Sequence, residues 1–212
     1  MFKLKKCIEL IRVMDSYNLE FLSSGNFSIR LDDENIAIKP SGLPYKSVNI
    51  NNISIINSKG DLLQGLKPSS DFKIHLGVYN TRKGINCIIH THSHFATVFA
   101  ILGKPIEVLS TMHADYFGEK IPCLPFVNHR YDDFGKILLN VKSKVVLLEK
   151  HGAFIFAKNP DLGVKYAIIL EEVARLNYHA LLMSNKKKIK NISSKNIRGL
   201  YNFYNFSYLN KN

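Results

Sequence analysis

The chain has 212 residues, 46% of them hydrophobic, enough for one compact domain with a substantial core and short for two. Its three cysteines, Cys7, Cys87 and Cys123, are odd in number and lack CxxC spacing, which excludes a disulfide framework and a cysteine zinc site and makes a reducing cytoplasm the expected setting. The net charge of +12 favours anionic partners, but 23 of the 29 basic residues are scattered lysines, as on a solvated basic surface rather than a nucleic-acid groove rich in arginine and aromatics.

The basic N-terminus, Lys3 to Lys6, leads into an apolar stretch that Glu9 and Arg12 interrupt, so it reads as a helix and not as a signal peptide. No run approaches the roughly 20 apolar residues of a membrane span, and no membrane association is expected. Leu4, Ile8, Ile11, Met14 and Leu22 recur at helical spacing and predict an amphipathic helix over residues 3–21, ending near Ser23-Ser24-Gly25. Short β-like runs follow at residues 27–31, 35–38 and 53–56. Ser70-Asp71 offers an N-cap to a helix through Phe72, His75, Leu76 and Tyr79 that Gly84 stops.

The apolar run Cys87-Ile88-Ile89 predicts a buried strand that delivers His90. Ser93 can cap a short helix running to Gly103, and the Lys104-Pro105 turn leads to a further strand. Strands at residues 145–148 and 153–157 flank His151-Gly152, and the longest helix runs from about Asp161 to Met183, with Asn159-Pro160 at its entry. Strands come first in runs, without regular βα alternation. The expected fold is therefore α/β, with a mostly antiparallel or mixed sheet covered by helices.

His90-Thr91-His92 places two imidazoles two residues apart at the end of an apolar strand, and the period of two points both to one face, where they can chelate one ion. Zinc suits neutral imidazole nitrogens, and a catalytic site needs a third protein ligand beside an open position. His151, next to Gly152, and Asp71, at the start of its helix, are the candidates. Singly, each has a plainer reading, as a turn histidine or a helix cap. His75, His94, His113, His129 and His179 are left outside the ligand set. Manganese or cobalt would satisfy the same donors.

Three turns combine glycine or proline with amide and hydroxyl groups: Ser24-Gly25-Asn26, Lys39-Pro40-Ser41-Gly42 and Lys67-Pro68-Ser69-Ser70-Asp71. Each can present N–H and O–H donors to an anion, and Ser69 and Ser70 do so at a helix N-terminus.

From about residue 5 to residue 183 the chain resembles the class II aldolase/adducin family. The matching segments, in order, are Gly25-Asn26-Phe27-Ser28, Lys39-Pro40-Ser41-Gly42, Pro68-Ser69-Ser70-Asp71, His90-Thr91-His92-Ser93, Ile121-Pro122-Cys123, His151-Gly152 and Leu170-Glu171-Glu172-Val173-Ala174. The resemblance implies a single three-layer α/β/α domain over residues 1–212, and a zinc ion on His90, His92 and His151 with an acidic residue at Asp71. It also implies a sugar phosphate held by Gly25, Asn26, Lys39, Ser41, Gly42, Ser69 and Ser70. The family further implies a homotetramer with active sites between subunits, to which a tail, residues 185–212, contributes.

Thr111-Met112-His113-Ala114-Asp115-Tyr116-Phe117 is most similar to the family's L-ribulose-5-phosphate 4-epimerase members, whose catalytic aspartate falls on Asp115. The implied reaction is epimerisation at C4 of a pentulose 5-phosphate. The alternatives are an aldolase acting on a ketose 1-phosphate such as L-fuculose 1-phosphate, and a non-catalytic adducin-like module. The aldolases differ by a glutamate where Asp71 stands and a tyrosine near Thr111. The epimerases' C-terminal catalytic tyrosine fits Tyr208 best by distance from the long helix, with Tyr204 as the alternative. Their tail histidine falls near Arg198, an inter-subunit acidic residue falls on Asp132, and the segment 128–134 is shorter than theirs.

Overall fold

In a computed structural model, the structure describes residues 2–126, 137, 138, 141–185, 187 and 189–208, the last without its side chain. Lys186, Lys188, His129, Asp132 and the segment 128–134 lie outside the described residues. Helix α1 (Phe2–Ser16) leads to β1 (Asn26–Arg30), β2 (Asn35–Ile38), β3 (Ser54–Asn57), β4 (Leu62–Gln64), α2 (Phe72–Thr81), β5 (Cys87–Thr91), α3 (His94–Ile101) and α4 (Thr111–Phe117). Then come β6 (Cys123–Leu124), β7 (Val145–Leu148), β8 (Gly152–Ala157), α5 (Pro160–Met183), α6 (Ser194–Asn202) and a π-helical turn (Phe203–Tyr208).

One sheet has the order β4-β3-β2-β1-β5-β8-β7-β6, and each neighbouring pair is antiparallel except β6 with β7. Strand alternation divides its side chains between two cores. Phe27, Ile29, Cys87, Ile89, Ala153, Ile155, Val145 and Leu147 face one layer with α1, α3 and α5. Ile36, Ile38, Ile88, Val146, Leu148, Phe154 and Phe156 face the other with α2. Helices thus cover both faces of a mostly antiparallel sheet, as expected. Among the described residues no helix is long and apolar enough to cross a membrane.

Three expectations need correction. Helix α1 stops at Ser16, because Asn18 and Leu22 take left-handed backbone conformations (φ 51° and 57°) that no continuing helix accepts. After Lys104-Pro105 there is no full strand but a single antiparallel bridge, Ile106 to Ile121, and then α4, capped by the Ser110 side chain. The predicted caps Asp71 and Ser93 hold the N-cap positions of α2 and α3 without side-chain capping bonds.

Besides His90, two buried histidines are expected to make the fold acid-sensitive. His75 lies under the sheet with Nδ1 2.6 Å from Ser28 Oγ, which is 2.8 Å from the Tyr79 hydroxyl. His113 Nε2 donates to the Glu119 carbonyl at 2.9 Å. Burial lowers both from the ordinary 6.5 to about 4. Below pH 6.5 the unfolded chain takes up these protons and the folded chain does not. Stability from the neutral rings is therefore present above pH 6.5 and lost as pH falls to about 4, by up to about 3 kcal/mol apiece. Urea midpoints measured with chelator at pH 7.5, 6 and 4.5 should fall in that order; a flat series would contradict the assignment.

Candidate metal and anion site

The register of three strands builds the candidate metal site. Asn26 of β1 pairs with His90 of β5, and His90 pairs with Phe154 of β8. The β7–β8 hairpin turns through Lys150, with φ 58°, and places His151 beside the end of β5. His90, His92 and His151 thus come together, with ligand nitrogens all within 4.8 Å of one another. His90 and His151 stack with centroids 4.8 Å apart, and His92 meets His90 edge-on at 4.6 Å.

Gly152 makes this approach possible. A Cβ there would stand 2.6 Å from both His92 Cδ2 and the Thr91 carbonyl oxygen, so a side chain after His151 would push β8 off the His90-Thr91-His92 segment.

Proton placement also suits a cation. His90, 1% exposed, directs Nδ1 at the Ala153 carbonyl (2.9 Å), so Nδ1 carries the hydrogen and Nε2 keeps its lone pair. That Nε2 is 2.8 Å from His151 Nε2. Burial, and then the two neighbouring imidazoles, push the His90 pKa well down and keep the ring neutral. Neutral nitrogens converging in this way, one ring already oriented from behind, fit a divalent ion that accepts imidazole donors.

Asp71 borders the same cavity but is not part of the converging cluster. Its Oδ2 accepts from Asn26 Nδ2 at 2.7 Å, which explains why it does not cap α2. Asn26 thereby links the His90 strand to the start of α2.

Two of the three donor-rich turns, residues 39–42 and 67–71, are joined at their backbones. Ser41 N–H donates to the Lys67 carbonyl at 2.9 Å, Ser69 N–H donates to the Lys39 carbonyl at 3.1 Å, and Pro40 bridges Pro68. Together with the histidines they line one cavity of about 230 Å³, bordered by Ser23, Ser24, Gly25, Asn26, Lys39, Pro40, Ser41, Gly42, Ser69, Ser70, Asp71, His90, His92 and His151. All the residues expected to hold phosphate or metal are in this lining. Asp115 is not; it sits on α4, partly buried, and desolvation raises its pKa.

Lys39 is not solvated. It is 1% exposed, and Nζ donates to the carbonyls of Ser23 (3.0 Å) and Pro40 (3.3 Å), tying two of the turns from beneath. Burial lowers its pKa to about 8, against the opposing charge of Glu20. Glu20, unnoticed in the sequence, packs so closely on Gly25 that a Cβ there would be 2.1 Å from its Oε2. Its carboxyl pKa is raised well above the ordinary range, by burial first.

A second residue that sequence reasoning did not place is Glu171 of α5. Its carboxylate accepts from the N–H groups of Phe95 (2.8 Å) and Ala96 (3.1 Å), and so caps α3 immediately after the His90-Thr91-His92 segment. The signal was its place in Leu170-Glu171-Glu172-Val173-Ala174. Of the two tail tyrosines, Tyr204 donates its hydroxyl to Tyr116 at 2.7 Å. The side chain of Tyr208 lies outside the described residues.

Residues 5–178 match the family described as Class II Aldolase and Adducin N-terminal domain. The chain belongs to this family. Among class II aldolase/adducin relatives, L-ribulose-5-phosphate 4-epimerase UlaF of Salmonella paratyphi B is 32% identical over 180 residues, covering 77% of this chain and 78% of that protein. The fold matches the solved structure of an L-fuculose 1-phosphate aldolase with TM-score 0.86 at 22% identity, covering 96% of each chain. The L-fuculose-1-phosphate aldolase of Thermus thermophilus matches with TM-score 0.75 at 18% identity, over 88% of this chain and 98% of that one.

Proposed function

We propose that this chain is a zinc-dependent epimerase acting at C4 of a pentulose 5-phosphate, converting L-ribulose 5-phosphate to D-xylulose 5-phosphate. The observation that carries the reading is the joining of three converging imidazoles to three donor-rich turns in one cavity. The identity to an L-ribulose-5-phosphate 4-epimerase supports the choice within the family.

His90, His92 and His151 would hold the zinc, which would supply Lewis-acid polarisation of a ketose C2 carbonyl and so favour cleavage of the C3–C4 bond. Asn26, Ser41, Gly42, Ser69 and Ser70 hold the phosphate end in place while the cleaved aldehyde turns and presents its other face. Gly25 leaves room for the Glu20 carboxyl beneath its turn, and buried Lys39 holds the turns together and adds positive charge from below. Asp71 keeps Asn26 in position and stands ready as a further carboxylate beside the imidazoles.

Inversion needs a proton donor or acceptor on each face of the C4 oxygen, and Asp115 with Tyr208 serves in those roles. Asp115 does not border its own chain's cavity, which supports their delivery from a neighbouring subunit of a homotetramer. In this reading residues 1–212 form one cytoplasmic domain, and the tail 185–212 lies at the subunit contact.

Metal-loaded protein incubated with L-ribulose 5-phosphate should yield D-xylulose 5-phosphate. Absence of that product together with release of free aldehyde from a ketose 1-phosphate such as L-fuculose 1-phosphate would transfer the assignment to aldolase.

A further inference from the structure

Helix α4 has seven residues, and the carbonyls of its last turn have no partners inside the helix. The Ala114 carbonyl accepts from the Gly118 N–H at 2.9 Å. The next two are met by side chains from far along the chain. Asn205 Nδ2 donates to the Asp115 carbonyl at 2.8 Å, and Lys144 Nζ donates to the Tyr116 carbonyl at 2.8 Å.

The Asn205 amide is itself fixed, because the same Nδ2 donates to the Tyr201 carbonyl at 2.8 Å, one turn back in α6. Around this bond the contact is sealed by aromatic and cationic groups. Tyr204 donates to the Tyr116 hydroxyl, Lys165 Nζ donates to Tyr204 at 3.3 Å, and Lys144 lies over the Tyr201 ring at 4.5 Å. The Tyr201 ring also lies so close to Gly118 that a Cβ there would be 2.6 Å from its Cδ2.

We propose that Asn205, assisted by Tyr204, is a positioning residue that locks α4 to the C-terminal segment and thereby sets the placement of Asp115. The proposal rests on the reading of Asp115 as the acid–base group. Helix α4 is too short to hold its own last turn, and Asp115 lies in that turn. Without Asn205 the Asp115 carbonyl loses its partner and the turn frays, which displaces the carboxylate. Reactions of this kind tolerate small displacements poorly, with about a hundredfold in rate for roughly 1 Å. The phosphate turns and the imidazoles belong to other elements and are undisturbed. The lock also means that any neighbouring site served by Asp115 receives the C-terminal turn with it.

The test compares Asn205→Ala, the milder Tyr204→Phe and wild type, in two measurements. Amide hydrogen exchange should speed up at residues 114–118 in Asn205→Ala, and less in Tyr204→Phe. With L-ribulose 5-phosphate, kcat should fall about ten- to a hundredfold in Asn205→Ala, with KM within about twofold and metal content unchanged. Unchanged exchange overturns the proposal, as does a parallel loss of kcat, substrate affinity and metal, which would mark a purely structural role. An inactive wild type would refute the proposed function instead, and exchange would then decide alone whether the lock exists.

Discussion

Replacing His92 by alanine is expected to leave less than about one-thousandth of wild-type activity and to release the bound metal, while the protein stays folded. The magnitude follows from the several kcal/mol of charge stabilisation that a Lewis-acid ion supplies, at a factor of ten per 1.36 kcal/mol. His92 is the preferred probe because it is only partly buried, whereas His90 is buried and bonded to the Ala153 carbonyl. Its loss leaves two imidazoles, too few for a catalytic zinc site. The variant should therefore show the wild-type circular dichroism spectrum, no stoichiometric metal and no turnover. A variant that keeps both metal and activity would remove His92 from the ligand set.

Asp115→Asn should have the next largest effect and a different signature. General acid–base groups contribute about 10² to 10⁴ in rate, so kcat should fall by that factor while metal content holds and KM changes only a few fold. Asparagine keeps the size of the side chain, and the backbone carbonyl that Asn205 engages is untouched, so α4 should stay docked. The Asp115 carboxyl is held above its ordinary range by desolvation. The acid limb of the kcat–pH profile that its ionisation produces should disappear with it. A variant with full kcat would show that the proton moves through another group.

The parts of this molecule legible in the sequence are those fixed by local pattern. The residues 35–38 and 145–148 alternate or run apolar between turn signals, and both strands have those bounds. The long helix carries its own start, since Asn159 accepts from the Leu162 N–H and Pro160 begins the helix. The convergence of His90, His92 and His151 follows from a strand that presents two imidazoles, with His151 a candidate third beside Asp71 that the resemblance then singles out.

What escaped depends on groups distant along the chain. Helix α4 spans only two turns and has no apolar period to read; Ser110, Asn205 and Lys144 complete its ends. Ser93 looked like the cap of α3, yet that role belongs to Glu171, 76 residues beyond Phe95. Lys39 is expected from the sequence to hold phosphate, and no local pattern shows that the Ser23 and Pro40 carbonyls accept from its Nζ. Asp71 fills the cap position, but its carboxylate turns to Asn26, 45 residues earlier in the chain. The C-terminal segment read as a tail because its polar, asparagine-rich sequence hides two helical turns started by Ser193, whose side chain accepts from the Asn196 N–H.

The proposed chemistry needs His90, His92 and His151 to hold one divalent ion. Elemental analysis of wild type and His92→Ala, purified side by side without chelator, decides whether they do. Wild type should carry close to one zinc per chain, and the variant a small fraction of that. A metal-free wild type, or equal metal in the two proteins, would contradict it.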